Sequence, residues 1–259
     1  MHDHDLGLRH DLPRLISRRR ALAVMAGGVG AAFLAGCGSS DPDPVATPAA
    51  TADAASGAIP EETAGPFPGD GSNGPNVLAQ SGVVREDITK SFGDASGVAD
   101  GVPTTLAMTL TRDGTPLPGA AVYVWHCDRE GRYSLYDDTI AGENYLRGVQ
   151  ESGDDGTVRF TTVFPAAYPG RWPHVHFEVY ESLDAATTGQ APMHTSQLAI
   201  PQDACDAAYA SAGYEQSAQT LAQLSLDSDM VFADGYGQQL ATAEGDPDGG
   251  YALTLAVGV

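Results

Sequence analysis

Apolar and polar residues alternate at a period of two from residue 102 onward, and turn-forming residues interrupt the alternation at short intervals. Residues 104–111 (TTLAMTLT) alternate most clearly, and the turn signals Arg112-Asp113-Gly114-Thr115 and Pro118-Gly119 follow them. Residues 121–126 (AVYVWH) are β-branched and aromatic, as strands tend to be. Residues 128–131 turn the chain into residues 132–136, and Asp154-Asp155-Gly156 leads into residues 157–164 (TVRFTTVF). Further extended segments are expected at 174–180, 194–200, 229–233, 238–242 and 251–257. Only residues 203–224, rich in alanine, have sustained helical character. Short strands punctuated by Gly, Pro and Asp predict an all-β fold, an antiparallel β-sandwich with loops and a short helical segment near 203–224.

The first hundred residues read differently. Ser17-Arg18-Arg19-Arg20-Ala21-Leu22 fits a twin-arginine export signal, and an Ala/Gly-rich apolar run over residues 21–35 is too short for a comfortable membrane span. Leu34-Ala35-Gly36-Cys37 fits a lipoprotein cleavage box with Cys37 as the lipidated residue, and a plain secretory signal cut nearby is the alternative. Residues 1–37 are thus expected to be a signal and residues 38–58, rich in Ala, Pro, Thr and Asp, a disordered tether. Residues 59–259 are expected to form the folded β-sandwich domain. That places it outside the cytoplasm, lipid-anchored or secreted.

Charge narrows the partners. Residues 38–259 hold 8 basic and 31 acidic side chains. Such a surface disfavours nucleic acid and anionic lipid, so membrane contact is expected only through a lipid anchor. Self-association is left open. Two cysteines remain beyond Cys37, and an oxidising compartment suggests a Cys127–Cys205 disulfide, with two unpaired buried thiols as the alternative.

The candidate chemistry gathers around residues 168–176 (YPGRWPHVH). In a strand, His174 and His176 project from one face, close enough to share a metal ion. Tyr168 lies across a Pro- and Gly-containing bend that can fold its phenol back toward them, and Arg171 sits in that bend as a cation. Tyr133 supplies a second phenol. A phenol ionises near pH 10, so its binding at neutral pH calls for a strong Lewis acid. Two phenols with two imidazoles therefore favour Fe(III) over zinc, which prefers Cys, His and carboxylate. Tyr136, Tyr145, His126 and His194 read as packing or rim residues, and Arg147 as the partner of a local carboxylate.

The W-x-x-D-x-x-G-x-Y-S stretch at residues 125–134, the segments 144–148 (NYLRG) and 160–165 (FTTVFP), and Tyr168…Arg171-x-x-His174-x-His176 together resemble the intradiol ring-cleavage dioxygenases. Residues 62–67 (ETAGPF) are similar to the opening of that family's catalytic domain. The resemblance runs in order over residues 61–200. It implies Tyr133, Tyr168, His174 and His176 as ligands of Fe(III), with Tyr168 the ligand that substrate displaces. It implies Arg171 beside the substrate ring, Gln197 across the pocket, and Thr63, Gly65 and Pro66 along the substrate. The implied reaction takes a catechol-type substrate and O2 to a cis,cis-muconate-type product, with no organic cofactor. The chain lacks a long helical segment before residue 102 and is similar to the exported, single-domain branch. A non-catalytic lipoprotein that binds aromatics or iron-catecholates is the main alternative, and a zinc hydrolase the other. The joint presence of four ligands and Arg171 favours the enzyme.

Overall fold

The computed structural model describes residues 57–259. The twin-arginine pattern, Cys37 and nearly all of the 38–58 segment lie outside the described residues. Nine strands form two sheets: β1 (Pro103–Arg112), β2 (Thr115–Pro116), β3 (Ala121–Trp125), β4 (Arg147–Glu151), β5 (Thr157–Val163), β6 (His174–Tyr180), β7 (His194–Ala199), β8 (Thr242–Asp246) and β9 (Gly250–Gly258). One sheet runs β2-β1-β9-β8, with β5 also paired to β1, and the other runs β4-β3-β6-β7. The helices are short: α1 (Leu183–Thr187), α2 (Gln202–Ala208) and α3 (Glu215–Leu221). Among the described residues no helix is long and apolar enough to cross a membrane.

The period-two pattern explains how the sheets meet. Leu106, Met108 and Leu110 of β1, Val158 and Phe160 of β5, and Leu253, Leu255 and Val257 of β9 enter one core cluster. Val122 and Val124 of β3, with Val175, Phe177 and Val179 of β6, enter it from the other sheet. Each such side chain contributes roughly 1.5–3 kcal/mol by leaving water. The alternate residues of β3 and β6 face outward, yet they are also buried. A second cluster containing Tyr123, Trp125, Tyr133, Ala166 and Tyr180 covers that outer face. The β4-β3-β6-β7 sheet is therefore the middle layer, and the H-x-H pair points into its outer, loop-covered side.

Several local expectations change. The ladders are antiparallel except β1–β9, which runs parallel from the Thr104↔Tyr251 pair to the Thr111↔Gly258 pair. A parallel pair needs a long connection, and here most of the domain intervenes. The helical stretch splits into α2 and α3 around a reverse turn. Residues 229–233 form no strand, because the Asp229 carboxylate accepts the Val231 and Phe232 N–H groups and curls the segment. Residues 238–241 form no strand and meet β7 through an isolated Ala199↔Leu240 bridge and a Gln239 side-chain hydrogen bond, while Thr242 opens β8. Strand β4, polar and glycine-containing, had no apolar signal to announce it.

The Cys127–Cys205 disulfide is not formed, and both cysteines are free and buried. They belong to different clusters: Cys127 packs on the outer face of the middle sheet, Cys205 of α2 in the core between the sheets. The Cys127 thiol points to the Ala166 carbonyl and the Cys205 thiol to the Ile200 carbonyl. Burial pushes the Cys127 thiol up to about 12 and raises that of Cys205 as well, so neither is a ready nucleophile.

Candidate metal centre

Sheet register lays out the centre. Arg147, Trp125, His176 and Gln197 are cross-strand partners in one row over β4, β3, β6 and β7. The Trp125 indole lies parallel to the His176 ring, with centroids 5.0 Å apart. On its other side His176 meets the residue 62–67 loop, where a Cβ on Gly65 would stand 3.2 Å from His176 Cε1. Gly65 has φ +71°, so a side chain there is disfavoured both by space and by backbone.

The bend beside β6 follows from its composition. Pro169 and Gly170 occupy the middle of a four-residue turn, and Gly170 has φ +87°, the signature of a type II turn. Tyr168 and Arg171 close it, with the Arg171 N–H donating to the Tyr168 carbonyl at 3.2 Å. Both side chains therefore leave one turn in adjacent positions.

Tyr133 arrives from a loop that Asp128 organises. Its Oδ1 accepts the N–H groups of Glu130 and Arg132, and its Oδ2 accepts Arg132 Nε and the Tyr145 hydroxyl. Tyr145 is thus a support for this loop, as its packing role anticipates.

Four donor atoms converge. Tyr168 Oη is 3.1 Å from His174 Nε2, Tyr133 Oη is 3.4 Å from the same nitrogen, the two phenol oxygens are 3.3 Å apart, and the two Nε2 atoms are 3.0 Å apart. His174 Nδ1–H donates to the Trp172 carbonyl, so its Nε2 is a lone pair. One lone pair facing three other heteroatoms has more neighbours than a single hydrogen bond can satisfy. Such separations suit atoms sharing one metal ion at bonds of about 2.1 Å. His176 Nδ1 is buried without a hydrogen-bond partner, so on that side no hydrogen bond orients the ring and the Trp125 stacking fixes its plane. Among the described residues no group of three or more His, Cys, Asp and Glu is placed to hold a metal ion, so the phenols are integral to the donor set.

Electrostatics keep all four groups neutral in the metal-free protein. Burial, then the Arg171 charge, holds His174 and His176 well below the usual imidazole range. Burial pushes the Tyr168 phenol up to about 12 against the pull of Arg171, and raises the Tyr133 phenol as well. The imidazoles are thus ready donors, while ionising the phenols requires a cation of high charge.

Arg171 is mostly buried. Its Nη2 donates to Gln197 Oε1 at 2.6 Å, and its Nε to Asp229 Oδ2 at 3.0 Å. Gln197 Nε2 donates in turn to the Thr63 carbonyl. Gln197 is therefore brought to Arg171 and Thr63 rather than to the donor atoms. Pro66 is exposed, and its carbonyl accepts from Asn73. Asp229 was invisible in the sequence, since an acidic residue 58 positions away carries no local signal. Phe67 is a second addition: its ring lies 5.0 Å from that of Tyr133 and 5.2 Å from that of Tyr136. These three rings, with Gly131, Arg132, Asp137 and Asp138, line a recess of about 330 Å³ beside the donor cluster. That volume admits one substituted aromatic ring.

The Arg147 reading needs correction. Its buried guanidinium pairs with no carboxylate and donates to the carbonyls of Pro68 and Ser134 and the hydroxyls of Ser134 and Tyr123. His126 is a satisfied core histidine, bonded to the Cys127 carbonyl and the Thr162 hydroxyl.

Glu178 shares the face of His176 and is 2% exposed. It accepts the Tyr180 hydroxyl at 2.7 Å, and burial pushes its carboxyl up from 4.5 to about 7. The folded state then holds this proton more tightly than the unfolded state. Its contribution is largest below pH 4.5 and is lost as pH rises to about 7. The loss is roughly 3 kcal/mol. Urea titrations of the metal-free protein between pH 4.5 and 8 should show stability falling with pH more steeply in wild type than in Glu178→Gln. Identical slopes would rule Glu178 out as their source.

The family profile described as Dioxygenase matches residues 73–202, half of the chain. The chain belongs to the intradiol ring-cleavage dioxygenase family. It is 38% identical over 112 residues to a hydroxyquinol 1,2-dioxygenase of Nocardioides simplex, covering 42% of this chain and 35% of that protein. It is 35% identical over 97 residues to catechol 1,2-dioxygenase 1 of Acinetobacter lwoffii, covering 37% of this chain and 30% of that protein. The chain thus spans about a third of the length of these curated relatives. An intradiol ring-cleavage dioxygenase from Tetranychus urticae superposes with a TM-score of 0.59 at 23% identity, covering 78% of this chain and 94% of that one, which establishes the shared fold. Asp229, Phe67, Thr63 and Gly65 all lie outside the matched segment.

Proposed function

We propose that the protein is a non-haem Fe(III) dioxygenase that cleaves catechol-type rings between the two hydroxylated carbons, placing both atoms of O2 in a cis,cis-muconate-type product. The observation that carries this reading is the convergence of Tyr133, Tyr168, His174 and His176 donor atoms at 3.0–3.4 Å. Those four residues would hold the iron. Ferric iron, when bound, supplies a Lewis acid that lowers the proton affinity of the catechol oxygens and draws electron density from the ring.

The chain's own groups do the rest. Tyr168 is half-buried on its turn, so its side chain, as the phenolate that iron binding would leave, could swing aside and accept a catechol proton at Oη. Arg171, fixed beside Tyr168, stabilises negative charge growing on the ring. Gln197 holds the Arg171 Nη2. Phe67 and Tyr136, which flank Tyr133, would pack against the ring of the substrate. Export through residues 17–22, with lipidation at Cys37, belongs to the same proposal and is supported by the sequence pattern alone.

The test is the visible spectrum of the iron-loaded protein, before and after anaerobic addition of catechol, followed by product analysis in air. A red-brown tyrosinate band that moves to longer wavelength, with a muconate product, supports the reading. A protein that stays colourless after ferric reconstitution sinks it. Catechol binding without consumption would instead make the protein a binder of aromatics.

A further inference from the structure

Arg171 is held from three sides. Its side chain is 11% exposed, with Nε on Asp229 Oδ2 at 3.0 Å and Nη2 on Gln197 Oε1 at 2.6 Å. The Phe232 ring centroid lies 5.9 Å from its Cζ. Its side chain leaves the same tight turn as Tyr168, one of the four donor residues, so where the guanidinium sits matters to the centre.

Asp229 is itself immobilised. Its side chain is 1% exposed. Oδ1 accepts the N–H groups of Val231 at 2.8 Å and Phe232 at 3.2 Å, which lock the carboxylate to its own turn. Oδ2 accepts Arg171 Nε and, at 2.7 Å, the Trp172 N–H. The same segment continues to Gln239, whose Nε2 donates to the Gln197 carbonyl and whose own carbonyl accepts the Ala199 N–H. Both tethers of Arg171 are thus referenced to residues 229–241, which lie beyond the segment that the family profile matches.

We infer that Asp229 is a positioning residue, which aims the Arg171 guanidinium at the reacting ring through the Nε–Oδ2 pair. The inference rests on the dioxygenase reading and deepens it. A guanidinium has five donors in a rigid fork, so fixing Nε and Nη2 also fixes the plane and direction of Nη1. Among the described residues no group accepts from Nη1, which leaves that donor for substrate. Displacement of a charge-stabilising group by about 1 Å costs on the order of a hundredfold in rate.

The experiment is a double-mutant cycle on the iron-loaded protein, with Asp229→Asn, Arg171→Gln and the pair, read as kcat and KM for catechol. The Arg171 Nε–H resonance of the metal-free protein is recorded alongside it. Asp229→Asn is expected to lower kcat roughly hundredfold with a much smaller change in KM, and to lose the protected Nε–H signal. The pair should be no slower than Arg171→Gln alone. Asp229→Glu, which keeps the carboxylate, should recover part of kcat and gives a second reading if the asparagine variant folds poorly. A kcat within twofold of wild type in Asp229→Asn, or additive losses in the pair, would overturn the assignment. A wild-type protein that binds iron and cleaves no catechol would overturn the dioxygenase reading, and this role with it. Catechol cleavage with an open cycle overturns only the role of Asp229.

Discussion

Replacing His174 by alanine is expected to remove both iron and ring cleavage, with residual activity at least a thousandfold below wild type. Losing a group that merely orients a metal ligand already costs roughly 10–100-fold in affinity or activity, and His174 is the centre of the donor set itself. Its Nε2 is within 3.4 Å of the Tyr133, Tyr168 and His176 donor atoms. No neighbouring side chain can substitute, because the closest other imidazole of the sheet core, His126, is committed to the Cys127 carbonyl and the Thr162 hydroxyl. Iron per chain by elemental analysis, the tyrosinate band and catechol turnover should fall together. His126→Gln is expected to cost stability and keep the iron colour. A His174→Ala protein that retains stoichiometric iron would mean that the metal is held elsewhere.

Arg147→Ala should be the most damaging change to stability. The guanidinium is 1% exposed and its hydrogen bonds join the Pro68 loop, the Ser134 loop and strand β3 to strand β4. Truncation leaves the buried Ser134 carbonyl without a donor, removes one of the two donors to the Pro68 carbonyl and opens a cavity where the side chain ran, which together cost about 3–5 kcal/mol. For a domain of this size that lowers the melting temperature by roughly 10 °C. Arg147→Lys should recover little, since one ammonium cannot span acceptors that a planar fork reaches from several directions. Thermal denaturation of the metal-free proteins measures both. A lysine variant as stable as wild type would show that the charge, and not the fork, is what the loops need. Ser134 follows Tyr133 directly, so the loss should also loosen the Tyr133 phenol and, on the proposed function, weaken iron retention in Arg147→Ala.

What could be read from the chain alone was local. Period-two alternation predicted most strands and, with them, that His174 and His176 share a face. Tyr-Pro-Gly-Arg specified the tight turn that sets Tyr168 beside Arg171, because proline and glycine restrict those dihedrals wherever the segment sits. Motif resemblance pointed to Tyr133, whereas the turn at 128–131 was read as leading into residues 132–136, which form a loop and no strand.

Long-range geometry was decided only in three dimensions. The row Arg147–Trp125–His176–Gln197 depends on the register of three ladders between strands far apart in sequence. The two cysteines fell on opposite sides of one sheet, which no count of thiols could reveal. Residues 229–233 became a turn because a side chain captured their N–H groups, and the carboxylate so fixed became the partner of Arg171. Backbone propensity and side-chain periodicity act over a few residues, so they are legible in sequence. Which face meets which loop depends on packing and pairing across the whole domain, and those are properties of the folded chain.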